Sequence, residues 1–358
     1  MRTITAGDDQ EARVGLAGHM TSAAPAVDSP PTPGTRWRFV DSLRGFALFG
    51  ILLVNTLDIT RLGIDLAIEN AGPVDDPARD LLYLTVQTRF VPIFVFLFGM
   101  SLWFVLAGAR SRSPRAGLVM VRRLVGLVAI GGLLMLVYPG NVLLEYGVVG
   151  LVMLPIVLFA PRWATLALGA ALTVAAYALT GGGLASTPGL MLLGAGASAY
   201  GLPRVLESAG RGVALVFAAA AVLTVPALLW QATTPGDPRF STPGGIAGLV
   251  MAVAYATALA LLWRTPARRV IAAVFEPLGR MALTNYVVAA IVVAGLALVV
   301  DFGHMASVVP GVALSVGLIA VQSVLSRLWL TRFVYGPVEW AWRTVTWWRP
   351  AALVRRAS

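Results

Sequence analysis

The fold of this chain is decided by the stretch Arg36-Trp-Arg-Phe-Val-Asp-Ser-Leu-Arg-Gly-Phe-Ala-Leu-Phe-Gly-Ile-Leu-Leu-Val-Asn55. It is apolar for long enough to predict a first membrane span over residues 41–59. A guanidinium inside a span costs at least ~2.5–3.5 kcal/mol, so Arg44 needs a local reason to be there. Asp41 lies three residues earlier and faces Arg44 on a helix, so the two side chains are expected to form an ion pair.

The polar residues of this span share one helix face. Asn55 follows Arg44 by eleven residues, which is close to three turns and roughly 16 Å along the axis. We therefore expect Asp41, Arg44 and Asn55 to line a ligand or catalytic pocket, because arginine inside a span usually serves a function. The alternative is an ion pair at the cytoplasmic end and a hydrogen bond from Asn55 to another helix.

Composition predicts an all-α polytopic membrane protein. The chain has 358 residues, of which 58% are hydrophobic and 12% are charged, about half the charged share of a soluble protein. Apolar stretches of about 18 residues or more recur along the chain, as a helical bundle in a bilayer requires. We predict about ten transmembrane helices, at 41–59, 87–107, 122–138, 142–160, 163–181, 187–203, 211–231, 244–263, 279–300 and 306–327.

The charges alternate between successive predicted loops. The net charge is +10, and arginine supplies all 27 basic residues apart from histidine. The loop 58–80 is acidic, whereas the next loop carries Arg110, Arg112, Arg115, Arg122 and Arg123. This positive-inside pattern predicts that both termini are cytoplasmic and argues against nucleic acid as a partner. The absence of cysteine excludes disulfides and thiol nucleophiles.

Three segments follow from these patterns. Residues 1–34 are rich in Ala, Pro, Ser, Thr and Gly, which predicts a disordered cytoplasmic tail. Residues 35–327 form the predicted transmembrane domain. Residues 328–358 interleave Trp with Arg, which is typical of a segment lying in the headgroup region of the cytoplasmic leaflet.

Further polar residues are candidates for binding a substrate on the outer side. Asn141 and Glu145 lie four residues apart and share a helix face; the alternative is that Asn141 caps the helix and Glu145 favours its dipole. Arg89 lies just before the apolar run that begins at Phe90 and is a candidate for holding a phosphate or carboxylate. The alternative for Arg89 is an anchor at the membrane interface.

Two more candidates lie near the predicted ninth span. Arg280 pairs in sequence with Glu276, and Asn285 follows about a turn deeper, which predicts a polar cluster. His304 lies three residues after Asp301 in the next outer loop and is a candidate general base. The alternative for His304 is a solvated loop residue. No metal-ligand motif, P-loop or GxSxG motif is present.

Four segments of the chain resemble the YeiB-like membrane proteins. Arg36 to Asn55 is similar to the opening of that family, and Phe94-Val-Phe-Leu-Phe-Gly99 is similar to its second span. Gly279-Arg-Met-Ala-Leu-Thr-Asn-Tyr286 and Tyr335-Gly-Pro-Val-Glu-Trp-Ala-Trp-Arg343 resemble its C-terminal domain of unknown function. Together these segments cover most of residues 36–345 in the expected order.

The first span of that family is similar to those of transmembrane acyltransferases. In the bacterial O-acyltransferases an arginine is followed eleven residues later by a histidine used in acyl transfer. Arg44 matches the arginine, and Asn55 occupies the histidine position, where an amide has no basic nitrogen. The resemblance further implies a histidine and an acidic run near the third and fourth spans, where this chain has Met135 and Asn141-Val-Leu. Proton transfer would then fall to His304 or to a group of the substrate.

Three functions remain open from the sequence. The first is an acyltransferase of the bacterial cytoplasmic membrane, which moves an acyl group from a donor such as acyl-coenzyme A to a lipid or glycan acceptor. Arg44 would bind the donor, and Asn55 would position the acyl carbonyl. The second is a transporter or lipid-handling permease with polar residues along its pathway. The third is a non-catalytic accessory protein of envelope synthesis.

Overall fold

The computed structural model describes residues 36–72 and 74–354, and in these ranges the regular structure is helical. The predicted disordered tail at 1–34 lies outside the described residues. The α-helices are α1 (Arg38–Ile59), α2 (Ile64–Glu69), α3 (Pro77–Thr85), α4 (Phe90–Arg110), α5 (Ala116–Leu134), α6 (Val142–Phe159), α7 (Arg162–Thr180), α8 (Thr187–Ala199), α9 (Leu202–Ser208), α10 (Arg211–Ala232), α11 (Thr242–Leu262), α12 (Arg268–Arg280), α13 (Ala282–Ala297), α14 (Val309–Arg332) and α15 (Pro337–Trp347).

The chain is a multi-pass membrane protein, as its composition predicts. In the described ranges, eight helical stretches are long and apolar enough to cross a bilayer: α1, α3 with α4, α5, α6, α7, α10, α11 and α14. The pair α12–α13 also qualifies but is bent by 80°, so the bundle has eight such stretches, or nine if the bent pair is one span. The predicted ninth span is therefore not one straight helix.

The predicted sixth span, 187–203, corresponds to the short helix α8. Its 13 residues extend about 20 Å, less than the ~30 Å core of a bilayer. Gly189 lies against Thr173 and Gly196 lies against Leu166, so α8 runs antiparallel to α7. The helix α8 returns the chain across the bundle and is buried between α4 and α7. The eight long stretches, the bent pair and α8 together make ten passages among the described residues.

The helix α1 lies at the centre of the bundle and packs against α4, α12, α13 and α14. Its contact with α12 is a direct approach of two backbones. A Cβ atom on Gly45 would collide with the Phe275 carbonyl oxygen, and one on Gly279 would collide with the Asp41 carbonyl oxygen. Small residues permit this approach in membrane bundles, where packing rather than hydrophobic burial holds helices together.

The break between α12 and α13 is stabilised by side chains of the bundle. The Asn285 amide donates to the carbonyl of Leu278 at 3.3 Å and to the hydroxyl of Ser326 at 3.0 Å. Gln322 of α14 donates to the Asn285 carbonyl at 2.9 Å. These bonds satisfy backbone groups that a bent helix would otherwise leave unpaired in the membrane.

The Trp- and Arg-rich segment forms α15, which packs on α5. The Trp342 indole donates to the Arg123 carbonyl at 2.7 Å, and the Arg123 guanidinium lies 3.7 Å from the centre of the Trp342 ring. Arg112 lies over Trp347 in the same manner. The interleaved tryptophans thus bind arginines of the adjacent loop and of α5 by cation–π contacts. The helix α14 continues to Arg332, and the predicted boundary of the transmembrane domain at residue 327 stays a prediction.

We expect Gly279→Ala to lower the midpoint of thermal unfolding in detergent, because the new methyl group must force α12 away from α1. Overpacking of this kind typically costs about 1–3 kcal/mol. Gly295→Ala in α13 is the matched control, since a Cβ there meets open space and alanine favours a helix over glycine by ~1 kcal/mol. Equal midpoints for the two variants would contradict the backbone contact.

Candidate functional site

A cavity of about 160 Å³ opens beside Arg44. Arg123 and Arg280 also line it, and we call it the arginine cavity. Its walls come from α1, α4, α5, α6, α12, α13 and α15, and its lining residues include Phe94, Phe98, Leu127, Leu143, Tyr146, Tyr286, Glu339 and Trp342. Three cations and one carboxylate therefore surround a space that is apolar over much of its wall.

Arg44 is held in place by bonds on one side of its guanidinium. Its Nη1 lies 3.0 Å from an Asp41 carboxylate oxygen, so the expected ion pair is present. The same nitrogen donates to the Gly279 carbonyl at 3.4 Å, and Nη2 donates to the Ser101 hydroxyl at 3.1 Å. Asp41 also pairs with Arg36 at 2.8 Å. A guanidinium has five N–H donors, so donors remain for a ligand.

The backbone contact between α1 and α12 brings two arginines to the same cavity. Arg44 precedes Gly45, and Arg280 follows Gly279, so each arginine is the neighbour of a glycine in the contact. The residue expected to pair with Arg280, Glu276, binds Arg38 at 2.9 Å. Arg123 comes from α5 and is half-buried under Trp342. Clustered cations of this kind favour an anionic ligand.

Glu339 joins α15 to the start of α13 at the edge of the cavity. Its carboxylate accepts from the Leu283 backbone N–H at 2.7 Å, from the Thr284 backbone N–H at 3.0 Å and from the Thr284 hydroxyl. It thus caps the first turn of α13 from another helix, where the helix dipole favours negative charge. Burial raises the pKa of Glu339, and the bonds from Thr284 and Leu283 oppose that rise.

Asn55 faces a second, smaller cavity. This space of about 10 Å³ is lined by Asn55, Asn285, Gln322 and Tyr286 among apolar residues of α1 and α13, and such a volume is about that of one water molecule. Arg44 and Asn55 share a face of α1, but they do not line one pocket. Tyr286 lines both cavities, and its hydroxyl accepts a hydrogen bond from Asn55.

Comparison with known proteins finds a family match and several relatives. Residues 200–349 match the family described as "Protein of unknown function (DUF418)". The protein YeiB of Escherichia coli (strain K12), described as uncharacterized, is 25% identical over 382 residues, which cover 86% of this chain and 95% of YeiB. The matched region and this relative support the resemblance of the chain to the YeiB-like family.

Other relatives from bacilli agree with that resemblance. An uncharacterized 39.9 kDa protein in the amylase 3' region of Bacillus acidopullulyticus is 29% identical over 328 residues, covering 86% of this chain and 92% of the relative. The uncharacterized protein YxaH of Bacillus subtilis (strain 168) is 26% identical over 396 residues, which cover 90% of this chain and 98% of YxaH. No solved structure matches the chain. Arg280, Tyr286, Glu339 and Trp342 lie within the matched region of this YeiB-like chain.

Asn141 and Glu145 connect helices on the predicted outer side. The Asn141 amide donates to the carbonyls of Gly131 and Tyr138 at 3.1 and 3.0 Å, and it makes no cap bond to α6. The Glu145 carboxylate accepts from the Thr187 hydroxyl at 2.6 Å, which ties α6 to α8. Neither residue lines the arginine cavity. A role for the two residues in binding a substrate stays a prediction.

Arg89 is fully buried rather than turned outward, with 0% of its surface exposed. Its guanidinium donates to the Gln87 carbonyl, to the Thr88 hydroxyl at 2.9 Å, to the Met251 sulfur at 3.4 Å and to the Gln231 side-chain oxygen. These neutral acceptors stabilise the turn between α3 and α4 against α10 and α11. Binding of a substrate by Arg89 stays a prediction.

His304 lies in the loop between α13 and α14 and is half-exposed. Its ring nitrogens lie 2.7 Å from an Asp301 carboxylate oxygen and 3.2 Å from a Glu69 carboxylate oxygen. Asp301 and Glu69 raise the pKa of His304. His304 lines neither of the two cavities, so the structure does not bring it to Arg44, and its catalytic role stays a prediction.

Sequence reasoning missed four residues of the arginine cavity. Arg123 counted only as a loop charge, and Tyr146 was not singled out within the predicted span 142–160. Glu339 and Trp342 belong to the segment 335–343 that carries the family resemblance, and this was the available signal. A carboxylate and an indole near the end of the chain reach the site because α15 folds back on α5.

We expect Glu339→Ala to loosen α15, because it leaves two backbone N–H groups of α13 without their acceptor. Each unpaired buried group costs about 1–3 kcal/mol, so the α15 amides should exchange hydrogen at least about tenfold faster in mass spectrometry of the purified protein. Thr284→Val removes a hydroxyl that donates to Glu339 and accepts from the Val338 N–H at 3.1 Å, but it keeps both backbone bonds to Glu339 and should have a smaller effect. Glu69→Ala, which removes an exposed carboxylate, is the control, and unchanged exchange in Glu339→Ala would refute the capping role.

The pKa of His304 should lie above the usual imidazole value of about 6.5 when followed by NMR titration. The protonated ring binds two carboxylates, so this contact is fully formed below the usual imidazole pKa and is lost as pH rises through the raised pKa. Asp301→Asn should lower the pKa of His304. A pKa at the usual value in both proteins would show that the contact does not form in solution.

Proposed function

We propose that this YeiB-like protein is an acyltransferase-related enzyme of the bacterial cytoplasmic membrane. It would bind an acyl thioester donor such as acyl-coenzyme A at the arginine cavity and transfer the acyl group to a lipid or glycan acceptor. The observation that carries the proposal is the convergence of Arg44, Arg123 and Arg280 on one partly apolar cavity.

The charges of the cavity support an anionic donor. Three arginines and one carboxylate, Glu339, line the cavity, and Arg44 is also paired with Asp41. A guanidinium binds phosphate oxygens through two parallel hydrogen bonds, and the phosphates of coenzyme A carry such oxygens. The arginine-rich loop between α4 and α5 raises the local concentration of anions on the same side of the bundle.

The size and the wall of the cavity support a short acyl group. The volume of about 160 Å³ is close to that of an engineered protein cavity of ~150 Å³ that binds benzene. Phe94, Phe98 and Leu127 supply an apolar surface that excludes water from the thioester. Excluding water protects a reactive acyl group from hydrolysis and strengthens the electrostatic contacts inside the site.

The proposed transfer needs a group that moves one proton. The acceptor hydroxyl oxygen bonds to the thioester carbonyl carbon, the carbon–sulfur bond breaks, and the thiolate of coenzyme A leaves. The proton released by the hydroxyl ends on that thiolate. Asn55 has no basic nitrogen for this step, whereas Glu339 lines the cavity and has a raised pKa. Glu339 is therefore our candidate for carrying the proton.

Transport is the second candidate function, and one observation favours it. Tyr286 of α13 lines both cavities. Its side chain therefore continues the row of polar groups between Arg44 and Asn55, which share a face of α1. Polar groups near the middle of a bundle, beside a broken helix such as α12–α13, are typical of transporter sites. Flux of a substrate into proteoliposomes that is lost in Asn285→Ala, without any acyl transfer, would favour this function.

We expect Arg44→Ala to abolish binding of acetyl-coenzyme A by the purified protein, because the variant loses a cation of the cavity and leaves Asp41 nearer to the ligand. The measurement is the rise in thermal midpoint with ligand, which follows the ratio of ligand concentration to Kd. Arg211→Ala, which removes an exposed arginine at the start of α10, is the matched control and should keep binding. A wild-type protein that neither binds nor turns over acyl-coenzyme A would sink the proposal.

A further inference from the structure

Tyr146 has a buried hydroxyl group that the fold does not use. The residue lines the arginine cavity and is 1% exposed. Its hydroxyl has no hydrogen-bond partner among the described residues. Most buried polar groups in proteins are paired, and an unpaired one costs about 1–3 kcal/mol. An unpaired hydroxyl on a residue that lines a cavity therefore points to a partner that comes from outside the protein, which reaches the buried oxygen by displacing part of the wall.

The ring of Tyr146 is held in one place by its neighbours. The Phe94 ring centre lies 6.1 Å from that of Tyr146, and the Phe98 ring centre lies 5.8 Å from it. These contacts fix the position of the phenol before any ligand binds. A group that is already positioned loses little entropy on binding, which is the advantage of a preorganised site.

A bound water does not explain the hydroxyl. An ordered buried water needs two to four polar partners; the lining residues Phe94, Phe98, Leu127 and Leu143 are apolar, and the Tyr286 hydroxyl already accepts from the Val142 N–H. A ligand that brings its own polar atom on an apolar body fits such a wall better than water does.

Tyr146 and Arg123 lie at different depths of the bundle. Gly147 of α6 packs against Val128 of α5, and Gly131 packs against Leu144, so Tyr146 lies at about the level of residue 129. That level is six residues from Arg123, or about 9 Å along the helix axis. A helical side chain points toward the N-terminus of its helix, and because α5 and α6 are antiparallel the two side chains diverge further.

We infer that Tyr146 is a ligand-binding residue that donates a hydrogen bond to the acyl carbonyl oxygen of the donor, while the arginines hold its anionic end. This assignment rests on the proposed function. It gives the ligand two separate points of attachment, the arginines and Tyr146, and it places the carbonyl at the end of the cavity away from Arg123. The same hydrogen bond strengthens as charge develops on the carbonyl oxygen during transfer.

Two ligands and one variant test the assignment on the full-length protein. Acetyl-coenzyme A carries the carbonyl oxygen, and S-ethyl-coenzyme A lacks it. In Tyr146→Phe, the affinity for acetyl-coenzyme A should fall about tenfold, as expected for the loss of one hydrogen bond, and the affinity for S-ethyl-coenzyme A should not change. The ligand-free variant should unfold at the same temperature as the wild type or higher, because it loses an unpaired hydroxyl.

A second tyrosine provides the control. The Tyr255 hydroxyl donates to the Thr85 carbonyl at 2.9 Å and does not line the cavity, so Tyr255→Phe should lower the unfolding temperature and leave both affinities unchanged. Equal affinity of wild type and Tyr146→Phe for acetyl-coenzyme A, with binding still dependent on Arg44, would overturn the assignment alone. Absence of binding by the wild type would overturn the proposed function and the assignment together.

Discussion

The contact of α1 with α12 at Gly45 and Gly279 is the constraint on which the candidate site depends. Two backbones approach until neither position has space for a Cβ atom. In hydrocarbon, such close packing replaces the hydrophobic effect as the force that holds helices together. The contact also determines where the neighbouring residues point, and these are Arg44 and Arg280. A packing requirement and a concentration of positive charge thus arise from the same four residues.

That concentration of charge is stabilised by groups from both ends of the chain. Asp41 and Ser101 bind one side of Arg44, and the indole of Trp342 covers Arg123. Glu339 adds a carboxylate that is itself bound by the first turn of α13. Buried charge is tolerated in a membrane protein when it is paired or faces a polar space. Here the pairing is partial, and the remaining donors face the arginine cavity.

Much of the fold follows from the sequence because hydropathy and arginine distribution respond directly to the bilayer. The ion pair of Asp41 with Arg44 also follows, since it depends only on helical spacing. The bend between α12 and α13 does not follow, because Asn285, Ser326 and Gln322 stabilise it through contacts between distant segments. The sequence likewise does not predict that Asn55 and Arg44 line two different cavities. Both residues share a helix face, but Tyr286 comes from another helix and lies beside both cavities.

The order of the chain has a consequence for how the site is made. The described residues that line the arginine cavity come from α1, α4, α5 and α6 and then from α12, α13 and α15, with none from α7 to α11. Glu339 and Trp342, within the last twenty residues of the 358-residue chain, are synthesised after every span. The site therefore lacks one wall until α15 has been made and has packed on α5. A chain that stops before Pro337 would keep all of its membrane passages and never complete the cavity.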